Sequence, residues 1–105
     1  MTIIKMLDKV GTFASNKDFA REIRTNLIIP TLERQEEMII DFDGVDGATQ
    51  SFMHALISDA IRKFGIQIFL SKVSFKSCND TVQKIIGIVV DYMQEGMGSE
   101  FDITE

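Results

Sequence analysis

Residues 38–42, Met-Ile-Ile-Asp-Phe, form an apolar run that is followed at once by two Asp-Gly pairs, Asp43-Gly44 and Asp46-Gly47. Apolar content running straight into turn-forming pairs reads as a strand. Its lack of a regular polar alternation predicts burial on both faces, as at the centre of a parallel sheet. The rest of the chain is constrained by what such a strand needs, which is partner strands along its edges and helices over its faces.

Flanking segments supply both. "TIIKML" at 2–7 reads as a short strand, "DKVG" after it as a turn, and Thr12 and Phe13 as the extension of a hairpin. In "SNKD" the Ser15 hydroxyl is placed to accept a free helix N–H, and Asp18 puts negative charge in the first turn, so a helix is expected to begin near Asn16. Phe19, Ala20, Ile23, Leu27 and Ile28 recur at helical spacing on one face, with Lys17, Arg21, Glu22 and Arg24 outside it. Pro30 is expected to stop or kink this helix, leaving "TLERQEE" as a polar connector. "SFMHALISDAIRKF" at 51–64 is a second amphipathic helix, with Phe52, Met53, Leu56, Ile57, Ala60, Ile61 and Phe64 as its apolar stripe. Both 66–70 and 72–77 have strand-like content, and the strand is placed at 72–77. Residues 79–94 keep a helical period through Val82, Ile85, Ile86, Val89, Val90 and Met93. The order strand, helix, strand, helix, strand, helix predicts an α/β layer over a sheet that is at least partly parallel.

A chain of 105 residues suits one domain with one core. Cys78 is its single cysteine, which excludes an internal disulfide and a thiolate zinc cluster and suits a reducing compartment. No apolar run is long enough to span a membrane, and "MTIIKMLDKVG" lacks the core of a signal peptide, so a cytoplasmic protein with no membrane partner is expected. Residues 1–94 carry 11 basic and 12 acidic side chains, whereas 95–105 carry four acids and no base. The expected organisation is one domain over 1–94 and an acidic tail over 95–105. Without a basic patch to displace phosphate counterions, nucleic acid is not the expected partner.

The loop after the central run admits more than one chemistry. An apolar strand ending in Asp41-Phe42-Asp43-Gly44-Val45 resembles the first motif of haloacid-dehalogenase-type phosphatases, in which Asp41 would attack phosphorus and Asp43 would handle the leaving-group proton. That reaction also needs a basic side chain and further carboxylates for magnesium, and the remaining chain offers no paired acids at a later strand end. A calcium loop fails because Phe52 stands where a bidentate glutamate belongs. No metal and no cofactor is expected. By contrast, a loop leaving a buried strand delivers Thr49, Gln50 and Ser51 to a helix N-terminus, where unpaired N–H groups and the helix dipole favour hydroxyl caps and negative charge.

Taken together, "GTFASNKDFAREIR", "IIDFDGV", "TQSFMHALI" and "VSFKSC" resemble the bacterial STAS-like domains of unassigned function, which are similar in plan to anti-sigma factor antagonists. The resemblance implies a small mixed sheet of about four strands with helices largely on one face. It also implies a non-enzymatic regulatory module that docks a histidine-kinase-type ATPase and is phosphorylated on a hydroxyl at the helix start. Ser51 matches that hydroxyl by its distance from the strand, with Thr49 the second candidate. Asp43, Asp46, Gln50, Phe52 and His54 would form the docking surface. This chain has "GATQSFMH" where the antagonists show an aspartate, paired serines and a glycine. A phosphate at this place would be repelled by Asp43 and Asp46 and attracted by the helix N-terminus, and the sequence does not decide between the two.

The other polar residues read more plainly. His54 lacks an acid at triad spacing, so it is a surface histidine and not the base of a nucleophilic site. Cys78 reads as a sheltered thiol. Arg21 and Arg24 read as solvated helix charges, although either could reach an acidic partner or a phosphate. The methionines fall mostly at apolar-period positions and read as core filler. The sequence leaves the oligomeric state open.

Overall fold

In the computed structural model, which describes residues 1–99 and side chains as far as residue 94, the Met-Ile-Ile-Asp run is the middle strand of a three-stranded sheet. Thr2–Lys5 (β1) and Val73–Lys76 (β5) flank Met38–Asp41 (β3), and both pairings are parallel. Ile40 stands between Ile4 and Phe75 in register, and Ile39 between Ile3 and Ser74. Phe13–Ala14 (β2) and Gly47–Ala48 (β4) make a second, two-stranded sheet, also parallel. The strands are thus divided three and two, all parallel, in place of one mixed sheet of about four.

Alternation along a strand sends successive side chains to opposite faces, and here the helices cover one face. Ile4, Met38, Ile40 and Val73 are buried under them, whereas Ile3 on the other face is 56% exposed and Ile39 is half-buried. The expected two-sided burial of the central run is therefore corrected to one-sided burial. Phe42, one residue past the strand end, is again fully enclosed as the apolar run enters the loop.

The covering layer is helical. Met6–Val10 (α1) takes over where the first strand had been expected to continue, and buries Met6. Phe13 does not extend a hairpin, because its hydrogen-bonding partner comes from the loop after β3 and runs parallel to it. Lys17–Ile23 (α2) is capped by Asn16 and not by Ser15: Asn16 Oδ1 accepts the N–H of Asp18 at 2.8 Å and that of Phe19 at 3.3 Å. The phase of the helix puts Ala20, Ile23 and Ile28 inward and leaves Phe19 44% exposed.

Pro30 does not end the helical stretch, which continues to Glu33. Arg24–Ile28 is a π turn, with the Ile29 N–H donating to the Arg24 carbonyl, and Pro30 falls in the first turn of Ile29–Glu33 (α3). A proline ring collides with the carbonyl four residues back in a continuous α-helix. The wider turn avoids that collision, and a first-turn proline forfeits no hydrogen bond.

Gln50–Phe64 (α4) is the central helix and buries Phe52, Met53, Leu56, Ile57, Ala60 and Ile61. It ends at Gly65, whose φ of +90° turns the chain into Ile66–Lys72 (α5). The strand-like 66–70 is thus helical, docked through the fully buried Phe69, and the strand expected at 72–77 occupies Val73–Lys76. Asp80–Ser99 (α6) starts at Asn79, whose side chain accepts the Val82 N–H at 2.8 Å. It reaches into the segment read as an acidic tail, the remainder of which, 100–105, lies outside the described residues. Met6, Met38, Met53 and Met93 are all core residues, as their periodic positions predicted. Among the described residues no helix is long and apolar enough to cross a membrane.

One-sided burial makes a sharp prediction. Truncating Ile40 removes buried methylenes with no open space to collapse into, so Ile40→Ala should lose about 2–5 kcal/mol in urea denaturation. Ile3→Ala, on the open face, should lose less than about 0.5 kcal/mol. Comparable losses at the two positions would mean that both faces are covered.

Candidate functional site

The segment between β3 and α4 is tied down at nearly every residue. Phe42 N–H donates to the Lys76 carbonyl at 2.9 Å, and Val45 N–H turns back to the Phe42 carbonyl at 2.9 Å. Asp46 N–H reaches the Thr12 carbonyl at 2.7 Å, Thr49 N–H reaches the Ala14 carbonyl at 2.9 Å, and Asn79 Nδ2 donates to the Asp46 carbonyl at 2.8 Å. The small β2–β4 sheet is therefore a clasp that fixes where α4 begins.

Both glycines of the loop allow a side chain to approach closely, and Gly44 is favoured by its backbone conformation as well. Gly44 has φ +86°, and a Cβ there would lie 2.7 Å from Leu7 Cδ2. Gly47 lets Phe13 lie flat on the loop, where a Cβ would meet Phe13 Cε1 at 3.1 Å. Leu7 and Phe13 are nonetheless 39% and 56% exposed, so they rim the loop with apolar surface. Reading Leu7 as strand and Phe13 as hairpin hid this surface; the signal was two large apolar residues flanking turn chemistry.

Of the two hydroxyls at the helix start, each has one job. Thr49 is the N-cap, half-buried, and its Oγ1 accepts the Phe52 N–H at 3.0 Å. Ser51, the second residue of α4, is exposed. Asp43, Asp46 and Gln50 are exposed around it. Phe52 is fully buried, so the expectation that it touches a partner is wrong: the helix phase that exposes Ser51 turns the next residue into the core. His54 is half-buried, with Nδ1 3.2 Å from Ser58 Oγ and its ring 5.9 Å from that of Tyr92, so it is engaged along its own helix and with α6.

The acids of the alternative phosphatase reading are both placed by the turn. Asp41 Oδ1 accepts the Asp43 N–H at 2.9 Å, which closes an Asx turn at the strand end, and in register Asp41 stands between Lys5 and Lys76 on the open face. Among the described residues no three of His, Cys, Asp and Glu are grouped so as to hold a metal ion. Nearby, Cys78 is half-buried and its thiol is pushed above its ordinary range, first by burial and then by the charge of Asp41. A raised thiol holds little thiolate at neutral pH and is a poor nucleophile.

A family model, the STAS-like domain of unknown function (DUF4325), matches residues 20–83. That span runs from α2 into the start of α6 and contains the central strand, the loop and all of α4. No curated protein and no solved structure matches.

Two outcomes follow from this geometry. Thr49→Ala should cost about 1 kcal/mol of stability through the lost cap, and Ser51→Ala should stay within about 0.5 kcal/mol, both read by urea denaturation. Equal costs would give both hydroxyls a structural role. Alkylation of Cys78 by iodoacetamide at pH 8 should be slower than that of a cysteine-containing peptide, and faster in Asp41→Asn than in the native chain, since a lower thiol pKa gives more thiolate.

Proposed function

Because the chain belongs to the family of STAS-like domains of unknown function, we propose that it is a non-enzymatic regulatory module of the bacterial cytoplasm. It docks a histidine-kinase-type ATPase through the loop 43–47 and the first turn of α4, and Ser51 is the hydroxyl that such a partner phosphorylates. The observation that carries this reading is the division of labour at the helix start. Thr49 holds the fold by capping α4, while Ser51 stands exposed beside the buried Phe52 and makes no side-chain hydrogen bond among the described residues.

The surroundings suit a docking surface. A rigid, hydrogen-bonded loop presents the same shape to each encounter and loses little entropy on binding. Leu7 and Phe13 add apolar area beside the exposed carboxylates of Asp43 and Asp46, a mixture common where partners dock. Phosphorylation adds roughly −1.5 to −2 charges at neutral pH, a large change on a surface of this size. A docked partner that tolerates the neutral hydroxyl is then separated by the phosphate, or bound more tightly by it if its own surface is basic.

Incubation of the chain with candidate histidine-kinase-type ATPases and ATP, followed by intact-mass measurement, tests the reading. One phosphate should be added, lost in Ser51→Ala and retained in Thr49→Ala provided that variant is folded. Absence of both a mass gain and a complex would overturn it.

A further inference from the structure

Beside Ser51 the surface sinks into a groove of about 390 Å³ between α2 and α4, walled by Lys17, Arg21 and Arg24 on one side and by Ser51, His54 and Asp59 on the other. The numbering alone explains the two walls: positions 17, 21 and 24 share one stripe of a helix, and so do 51, 54 and 58. Arg24 sets the register between them. Its Nη1 donates to the Ala55 carbonyl at 3.2 Å and lies 3.1 Å from Asp59 Oδ2, with only 19% of the side chain exposed. Both helices follow strands of one parallel sheet and run in the same direction. Lys17, two turns before Arg24, therefore stands toward the Ser51 end of the groove.

The three cations are unequally occupied. Arg24 is matched by Asp59, a carboxylate that Arg62 shares at 2.8 Å. Arg21 pairs with Asp18 at 3.0 Å, but the two side chains are 53% and 84% exposed, and such a pair gives way easily. Lys17 forms no ion pair among the described residues. On a chain of formal net charge −5, three cations against two carboxylates, Asp18 and Asp59, beside an exposed hydroxyl leave a local excess of positive charge.

We propose that this groove seats the phosphoryl group of phosphorylated Ser51: Lys17 and Arg21 hold the phosphate in cis and lay it against α2. The proposal rests on Ser51 being the modified hydroxyl. In the transfer, Ser51 Oγ bonds to the γ-phosphorus of a nucleoside triphosphate held by the partner, and the bond to the β–γ bridging oxygen breaks. The nucleoside diphosphate leaves, and the hydroxyl proton passes to a base on the partner. Seating in the groove settles the competition between the loop acids and the helix N-terminus. The phosphate turns away from Asp43 and Asp46, and Arg21 exchanges the exposed Asp18 for a charge-assisted contact with a dianion. Phosphorylation then changes two things at once, adding charge and neutralising the basic wall of α2.

The charged and titratable groups around the seat are Lys17, Asp18, Arg21 and Arg24 from the α2 side, His54 and Asp59 from α4, and Tyr92 from α6 against His54. The test uses the full chain with phosphoserine installed at position 51 during synthesis, so no kinase is needed and the result stands whether or not a partner ATPase phosphorylates Ser51. The pH midpoint of the phosphate is read by phosphorus NMR. It should fall below the ordinary value of about 6, because nearby cations favour the dianion. In Lys17→Gln/Arg21→Gln, two exposed positions whose folding is verified by circular dichroism, it should rise again by about half a pH unit or more. A depression that survives the double substitution belongs to the helix N-terminus and overturns the proposal. So does an undisplaced midpoint combined with shifts of the Lys17 and Arg21 signals when inorganic phosphate is added to the unmodified chain, which would assign the groove to an external phosphate.

Discussion

The burial of one side of α4 in the core, against α2, α5 and α6, is the constraint on which the rest depends. Phe52, Met53, Leu56, Ile57, Ala60 and Ile61 commit one side of that helix to the core that also holds Ile4, Met38 and Ile40. Full burial of each such side chain contributes on the order of 1.5–3 kcal/mol, so the rotation of the helix about its axis is not free. Once that rotation is set, the exposed positions of its first turns are set too. Ser51 and Gln50 face solvent because Phe52 and Met53 cannot.

What the packing fixes in angle, the clasp between β2 and β4 fixes in position. Hydrogen bonds from Asp46 and Thr49 to Thr12 and Ala14 hold the loop to a segment over thirty residues earlier in the chain. Asn79 draws in the start of α6 by bonding to the same loop. Two distant stretches of sequence therefore converge on the residues that precede α4. A rigid platform of this sort is well suited to presenting a single hydroxyl, since modification of that hydroxyl changes charge without asking the backbone to reorganise.

Much of this was legible in the sequence, and the failures have identifiable causes. The helices at 17–23, 50–64 and from 80 onward show a clean 3.6-residue period because each has one buried face, and their starts are legible to within a residue or two, whereas the ends of the first and last are not. Residues 66–72 misled because Ile66, Ile68, Phe69 and Leu70 carry strand-like side chains, while only Phe69 is buried; the helix is held by that one anchor and by Gly65 before it. The β2–β4 pairing could not be read at all. A two-residue parallel ladder leaves no periodic trace, and Phe13 and Gly47 become partners only through the tertiary fold. At the site, the loop and the candidate hydroxyls were visible from turn chemistry and cap preference. The division between a capping Thr49 and an exposed Ser51 required coordinates, as did the removal of Phe52 from the docking surface. Phe52 had already been placed on the apolar stripe by its spacing, and that signal was the right one.

The central claim is that the end of the molecule carrying the loop 43–47, Ser51, Leu7 and Phe13 is where another protein sits. Amide hydrogen exchange of the chain, alone and with a candidate histidine-kinase-type ATPase added, tests this most directly. The account predicts slowed exchange over 43–51 and around Leu7 and Phe13, with α5 unchanged. Protection confined to 66–90, with the loop exchanging as it does in the free chain, would contradict it.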